Sequence, residues 1–592
     1  MMKLIDYYLQ LFVKFSNGVA FQEVKLTRAK ISKELQCTER TVTNILNKLV
    51  DKKWIERNKG EGRGNSTTII FLKTMEEMLD YFERLAPNYD DILRLISLLD
   101  MNALYIEKEQ VYTDIVFKLF GLKVGSMTME NEEKNDYEHL KIPYFRSFYS
   151  LDPSAVERRS ERHLVEQIFN TLVTYNKPSG KIVPNISHYW KQDNDGKEWT
   201  FYIRKGIHFH NNKILTAKDV KFSFERLRNT SEKWIVRHLN NISCLGNYVV
   251  RFEFSQPMNG WDILLSSPKC SIIPENYSGK SQEEFAKYPV GTGPYMVRKH
   301  DKYLLKLMAH VTYFQGRAFI DEISIFVLPT MEKYFNANKM GHKPLFYIPF
   351  SIEESGNEVY QNIQQHNLSI KYLMWNMKKE NVKVNSVLRR KISSIINKDK
   401  LIGDLGYPRF QTANSVIDPE NAYISNSLIN QDIDYKEPLI LMTYQWIPNQ
   451  DNIKWLRREF EEVGVKLHIV NVPYSRFIEE SKQADIVLSE LVFDNSREVS
   501  AYNLFLSGSS VFSNLYHSDK DIYQFIDKAM REKQRVKRMQ LLKGLEESFI
   551  NQGIIIPLYS TFEKAIFHKN LMGISLNTMG LVPFERLFFR KN

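Results

Sequence analysis

Cysteine is close to missing from this chain. Cys37, Cys244 and Cys270 are the only three in 592 residues. They are an odd number and none is in a CxxC spacing, so a disulfide framework and a thiolate metal site are both excluded in favour of small buried hydrophobes. That usage agrees with a reducing compartment. Long apolar runs are missing too. Stretches such as Ile554–Leu558 fall far short of the ~20 residues a bilayer crossing requires. Asp6, Gln10, Lys14 and Asn17 interrupt what would be the apolar core of a secretory signal. A cytoplasmic protein without a membrane partner is expected. Internal repeats, low-complexity tracts and coiled-coil heptads are likewise absent.

What is present is enough to fold. Hydrophobic residues make up 43% of the chain and aromatics 13%, which suits a globular protein. The length implies about three to five compact units. The net charge is +11, and it is unevenly placed. Residues 1–72 hold thirteen Lys and Arg against seven acids, so +6 of the excess lies on an eighth of the chain. Such asymmetry suits a polyanionic partner.

The same segment has a recognisable periodicity. Leu4 to Phe15 reads as a helix with one apolar side. Thr27 stands as the N-cap of a short helix carrying Ile31 and Leu35. Thr38 begins another, with Val42, Ile45, Leu46 and Leu49 at the spacing of one buried stripe. Trp54-Ile55, a glycine-rich basic loop at Gly60–Gly64 and the strand-like Thr67–Leu72 complete an α+β winged helix-turn-helix. Gln36 stands in the turn where glycine is common, which predicts an irregular turn. In the Thr38–Val50 helix the stripe faces inward, leaving Glu39, Arg40, Thr41, Thr43, Asn44, Asn47 and Lys48 outside. A helix of that width fits the major groove of double-stranded DNA. Arg40 suits guanine and Asn44 adenine, while Thr41, Thr43 and Lys48 suit phosphate. Thr38, at the start of the helix, belongs to the same face. Arg57, Lys59 and Arg63 are spaced along the wing to follow a backbone or enter a minor groove.

Residues 73–120 read as a packed helical connector, and residues 121–592 as mixed α/β. Three local patterns in this last part resemble sites without being them. His208 and His210 share a face by strand alternation, but no third ligand follows. Gly291-Thr292-Gly293-Pro294 lacks the Lys-Ser/Thr ending of a phosphate loop and reads as a turn, which the family resemblance described below implies is one joining two lobes. Asp193-Asn194-Asp195-Gly196 lacks the glutamate of a calcium loop and reads as a hairpin turn. No nucleophile–base pair or paired carboxylates stand out, so neither an enzyme nor a cofactor is expected.

Longer segments carry a family resemblance. IFNTLVTYNKPSGKIVPNISHYWKQDNDGKEWTFYIRKGIHFHNNKILTAKDVKFSFERL (Ile168–Leu227) resembles the bacterial extracellular solute-binding proteins of family 5, the oligopeptide and nickel type. PVGTGPY (Pro289–Tyr295), FIDEISIFVLP (Phe319–Pro329), YLMWNM (Tyr372–Met377), the helix from Val387 and GIIIPLYS (Gly553–Ser560) follow in that family's order. The wing WIERNKGEGRGNSTTIIF (Trp54–Phe71), with its Gly-Arg-Gly, and NTMGLVPFERLFF (Asn577–Phe589) are similar to the SgrR-type regulators, a winged helix fused to such a domain and associated with sugar-phosphate stress in enteric bacteria. The resemblance implies a multidomain chain: a winged helix over 1–72, the connector, and a two-lobed periplasmic-binding-protein-like sensor of the oligopeptide-binding class over 121–592. It implies a regulator whose sensor takes a small-molecule solute, a sugar, sugar phosphate or peptide. It also places Trp375 and Asn376 near the ligand cleft and Asp494 where peptide-binding relatives keep an acid for the ligand amine. Tyr149 and Trp190 are aromatic candidates of the first lobe. The rival readings are a binding protein serving a transporter, which needs export, and a scaffold with a vestigial sensor.

Overall fold

The structure, a computed structural model, describes residues 2–58, 66–85, 137–327, 347–348, 360–383, 385–420, 435, 437–516 and 520–590. It separates into two compact units. The first is Met1–Tyr137 with the short segments Lys141–Ser147 and Ile325–Phe346, and the second is the remainder.

In the first unit, α1 (Met2–Ser16) is followed by β1 (Glu23–Leu26), α2 (Arg28–Glu34), α3 (Glu39–Asp51), β2 (Ile55–Asn58), β3 (Thr67–Phe71) and α4 (Met75–Arg84). The sheet runs β1-β3-β2, antiparallel throughout. Helix α1 closes the core with Ile5, Tyr8, Leu9 and Phe12, against Val42, Leu46 and Leu49 of α3 and Ile69 and Phe71 of β3, all buried. Tyr8 is the hub of this core. Its ring meets Phe71 edge-on at 5.4 Å and Trp54 at 5.9 Å, and its hydroxyl donates to the Lys73 carbonyl at 2.6 Å. Helix α4 lies in the stretch expected as connector, yet its Met78 and Phe82 are buried and Tyr81 meets Trp54 at 5.2 Å. The connector beyond residue 85, and the wing tip with Lys59 and Arg63, lie outside the described residues. Gln36 takes a φ of 46° between α2 and α3, the left-handed region that side chains resist.

The second unit opens with α5 (Arg159–Ile168) and a four-stranded antiparallel sheet of β4 (Ser187–Asp193), β5 (Glu198–Ile203), β6 (Leu239–Cys244) and β7 (Val249–Phe254) in the order β4-β5-β7-β6. Residues 194–196 form the expected tight turn between β4 and β5, with Asn194 and Asp195 in the left-handed region. The β8 (Tyr295–His300) and β9 (Leu304–Ala309) hairpin follows. A six-stranded mixed sheet then builds the second lobe from β10 (Ser369–Trp375), β11 (Arg409–Thr412), β12 (Leu439–Tyr444), β13 (Leu467–Val472), β14 (Ile486–Val492) and β15 (Ile555–Thr561). Its order is β11-β15-β10-β14-β12-β13. Strands β12 and β13 are parallel and joined by helix α6 (Ile447–Glu462), as a parallel pair requires. The lobe's core packs Trp375, Leu441, Leu456, Phe460, Ile486 and Ile556 together.

Two close approaches fix α5. The Gly291-Thr292-Gly293-Pro294 turn docks on the helix's C-terminal end rather than acting as a loose joint. Gly293 donates its N–H to the Ile168 carbonyl at 2.8 Å, and a Cβ added at Gly291 would lie 1.9 Å from that same oxygen. His210 braces the turn, accepting from the Gly291 N–H at 3.2 Å and pairing with the Gly293 carbonyl at 3.1 Å. Burial pushes its imidazole down to about 3, so it is a neutral bracket here. Among the described residues no three His, Cys, Asp or Glu gather as metal ligands, and no helix is long and apolar enough to cross a membrane.

Helix α7 (Arg535–Asn551) carries a fully buried Glu546. Its carboxyl accepts from the Ser415 hydroxyl at 2.6 Å, the Ile417 N–H at 3.1 Å and the Val416 N–H. Burial outweighs these bonds and pushes the group up to about 7. A carboxyl raised in the folded state holds its proton longer than in the unfolded chain. Its contribution to stability is therefore full below the ordinary glutamate range and is lost as pH rises through about 7. Glu546→Gln keeps the hydrogen bonds without the charge. It is expected to leave stability unchanged at pH 5 and to raise it at pH 8 by on the order of 1–3 kcal/mol. Thermal melts of both chains at the two pH values check this, and a gain confined to pH 5 would contradict it.

Candidate functional site

The groove-facing surface of the first unit is built on α3. Its amphipathic stripe buries Val42, Ile45, Leu46 and Leu49, which leaves Glu39, Arg40, Thr41, Asn44, Asn47 and Lys48 exposed on the far side and Thr43 half-buried. The three threonines expected on the DNA-facing side are largely occupied by the helix itself. Thr38 is the N-cap, its hydroxyl accepting from the Thr41 N–H at 3.3 Å and lying 2.9 Å from the Thr41 hydroxyl. Thr43 donates to the Glu39 carbonyl at 3.1 Å. Among the described residues, Glu39, Arg40, Asn44 and Lys48 are left with side chains unspent on this face. Arg57, half-buried in β2, donates to Asn47 Oδ1 at 3.3 Å, which links the wing strand to α3. Among the described residues, no ion pair neutralises Arg28, Arg40, Lys48 or Arg57, whereas Lys73 pairs with Glu77 at 2.8 Å.

In the second unit the five expected ligand residues do not come together. Trp375 is fully buried in the core of the second lobe. Asn376 is buried beside it, its amide donating to the Lys482 and Ala484 carbonyls at 2.9 and 2.8 Å. Both are part of the packing of the lobe. Trp190 lies in β4 and stacks on Phe201 at 6.4 Å. Asp494 is buried, but its charge is already used. Arg162 of α5 donates to it at 2.7 Å, Ser267 at 2.9 Å and Asn503 at 3.3 Å.

Tyr149 alone is open, at 68% exposure, and it leads into a cluster that sequence reasoning missed. The Arg158 guanidinium lies 4.6 Å from the Tyr149 ring and 5.6 Å from that of Tyr474. Tyr474 meets Tyr444 edge-on at 5.1 Å. Beyond it Lys371, on β10, has its ammonium 4.8 Å from the Trp446 ring. Lys371 donates to Glu490 and Asn449 at 3.0 Å each and to the Tyr444 hydroxyl at 3.3 Å, so its three hydrogens are all used. Burial alone would raise Glu490, but Lys371 and Arg159 outweigh it and hold the carboxyl down to about 2. Arg159 pairs in turn with Glu563, and Arg158 with Glu161. The only signal for this cluster in the sequence is the dense run Glu157-Arg158-Arg159-Ser160-Glu161-Arg162, which looks like a solvated face and is in fact buried from Arg158 to Arg162.

Fold and side chains together define a class: a winged helix joined to a two-lobed solute-binding protein. The comparisons agree. The model of bacterial extracellular solute-binding proteins, family 5 middle region, matches residues 181–513, and the chain belongs to that family. The model of the sugar transport-related sRNA regulator N-terminal region matches residues 3–113. The chain is 27% identical over 605 aligned residues to the YhjP protein of Bacillus subtilis, covering all of both chains. It is 24% identical to the HTH-type transcriptional regulator SgrR of Photorhabdus laumondii, covering 98% of each. Among solved structures it is similar in fold to AgaA of Agrobacterium tumefaciens in complex with agropinic acid (TM-score 0.66, 16% identity, 77% of this chain and 99% of that one). It is similarly close to the oligopeptide-binding protein AppA of Bacillus subtilis (TM-score 0.65, 15% identity, 77% and 100%).

The Arg162–Asp494 pair gives a direct test. Its side chains are 5% and 0% exposed, and removing one partner of such a pair costs about 3–5 kcal/mol because the other charge is stranded. Arg162→Met should destabilise by that amount in urea unfolding, and adding Asp494→Leu should restore most of the loss. A double variant no better than the single would show that the pair is not what stabilises this region.

Proposed function

We propose that this chain is a DNA-binding transcriptional regulator. Its first unit reads duplex DNA through α3, and its two-lobed part binds a small solute and modulates promoter binding in the cytoplasm. The observation that carries the reading is the exposed face on which Arg40, Asn44 and Lys48 stand, with Glu39 at its start, without an ion pair to either cation, on a helix whose opposite stripe is buried. Arginine forks onto the two acceptors of guanine and asparagine pairs with adenine, so both residue types suit base edges. Lys48, one turn further on, suits the backbone. Resemblance to the HTH-type regulators over the whole chain supports the same conclusion, and Lys59 and Arg63 belong to the proposed wing contact.

For the solute, Tyr149, Arg158, Tyr474 and Trp446 are the proposed contacts, because rings and paired charges offer stacking faces and hydrogen bonds together. With Asp494 held by Arg162 and Arg158 by Glu161, neither a ligand ammonium nor a phosphate meets an idle charge there, so sugars, sugar phosphates and peptides all remain classes for the titration. The role is binding rather than catalysis. A solute shifts promoter affinity only by its differential affinity for two states of the protein, and a tenfold effect needs about 1.4 kcal/mol of coupling.

Fluorescence anisotropy with the duplex upstream of the chain's own gene tests the reading. Arg40→Ala and Asn44→Ala should each weaken that duplex by about 1–3 kcal/mol and a scrambled duplex far less. Repeating the titration with sugars, sugar phosphates and peptides shows which solute shifts the midpoint. Equal losses on both duplexes would overturn the base-reading role of α3.

A further inference from the structure

Lys398 opens the helix Lys398–Leu405, which Asn397 caps by accepting the Lys400 N–H at 2.9 Å. The start of a helix carries partial positive charge, so an ammonium there is disfavoured relative to a neutral amine. The Lys398 side chain is half-buried. Its Nζ donates to the Ala413 carbonyl at 2.8 Å and to Asn414 Oδ1 at 3.2 Å. Both acceptors are neutral. Lys269, Lys371 and Lys400 each meet a carboxylate instead, Glu232 at 2.8 Å, Glu490 at 3.0 Å and Glu459 at 2.7 Å.

The two acceptors are held in place by the segment that follows β11. Ala413 is fully buried and donates its N–H to the Leu558 carbonyl of β15 at 3.1 Å. Ser415, Val416 and Ile417 all donate to Glu546 of α7, and Asp418 pairs with Lys543 of the same helix at 2.6 Å. The acids of this neighbourhood are thus engaged with other groups. Asp399, the next residue, pulls the Lys398 ammonium upward, but burial outweighs it and brings the group down to about 8.

Two acceptors use two of the three ammonium hydrogens. Loss of the third leaves both hydrogen bonds intact and a lone pair in its place. A desolvated amine held in this way is a nucleophile. The acylated product suits the same surroundings. An amide nitrogen keeps one hydrogen for the Ala413 carbonyl, and the Asn414 carboxamide, turned over, presents Nδ2 to the new acyl oxygen.

We propose that Lys398 is a modification site that takes an acyl group from an acyl phosphate. The neutral Nζ attacks the acyl carbon and a C–N bond forms. The C–O bond to phosphorus's oxygen breaks, phosphate leaves with the electron pair, and the nitrogen releases a proton to water. The transfer removes one positive charge from the second lobe and does not depend on the DNA-binding reading.

The test treats the full chain with acetyl phosphate across pH 6 to 10 and reads acetylation of Lys398 by peptide mass spectrometry. A synthetic peptide of residues 393–403 serves as the reference for the same lysine outside the fold. At pH 7 Lys398 in the chain should react on the order of tenfold faster than in the peptide, because more of its amine is neutral. Its rate should level off above about pH 8, while that of the peptide keeps climbing. Asn414→Asp sets a carboxylate against the ammonium and should slow Lys398 at pH 7 to the peptide's rate or below. Asn414→Ala adds no charge and should stay faster than the peptide. Labelling no faster than the peptide, or a rate still climbing at pH 10, would overturn the proposal. So would an Asn414→Asp chain that melts like the unaltered one and reacts as fast; should that variant not fold, the pH profile and Asn414→Ala decide the matter.

Discussion

The arrangement of this protein turns on how it handles positive charge away from water. A cation withdrawn from solvent must be met by an anion in place, because the desolvation cost of an isolated charge exceeds what packing returns. In the solute-binding part five buried cations follow the rule, Arg158 with Glu161, Arg159 with Glu563, Arg162 with Asp494, Lys269 with Glu232 and Lys371 with Glu490, while the buried Arg409 is held by Asn452 and backbone carbonyls instead. In the winged helix the opposite holds. Arg28, Arg40 and Lys48 stay in water, and the half-buried Arg57 has an asparagine where an acid would neutralise it. These cations of the second unit are paired within the fold, and those of the winged helix are not.

The rest of the fold serves these two uses. Helix α5 carries Arg159 and Arg162 in its first turns, with Arg158 as its N-cap, and its other end is clamped, with Gly291 and Gly293 pressed on the Ile168 backbone and His210 bracing the turn. In the head, the aromatic hub of Tyr8, Trp54 and Phe71 ties α1 to the sheet. It buries one stripe of α3 and so fixes which face is left outside. Apolar packing orients each helix, and charge then decides what the oriented face does.

Much of the head was legible in the sequence because its signals are local. The Val42, Ile45, Leu46, Leu49 stripe, the Thr38 cap and the residue order of the wing each lie within a few positions. What could not be read was that Thr41 and Thr43 turn back on their own helix, since a hydroxyl serves backbone or partner equally well. The family segments disclosed the two-lobed fold, but not the solute cluster. Arg162 meets Asp494 across 332 residues and Arg159 meets Glu563 across 404, and no periodicity reports a pairing at that range. Trp375 illustrates the converse error: a large aromatic in a family segment suits a core as readily as a cleft, and here it is core.

Lysine acetylation read by mass spectrometry, with and without saturating duplex, tests the central claim most directly. The account predicts that Lys48 reacts readily in the free chain and is protected by DNA, while the paired and buried Lys269 and Lys371 stay inert in both states. Labelling of Lys48 that ignores the duplex, or of Lys371 at the rate of an exposed lysine, would contradict it.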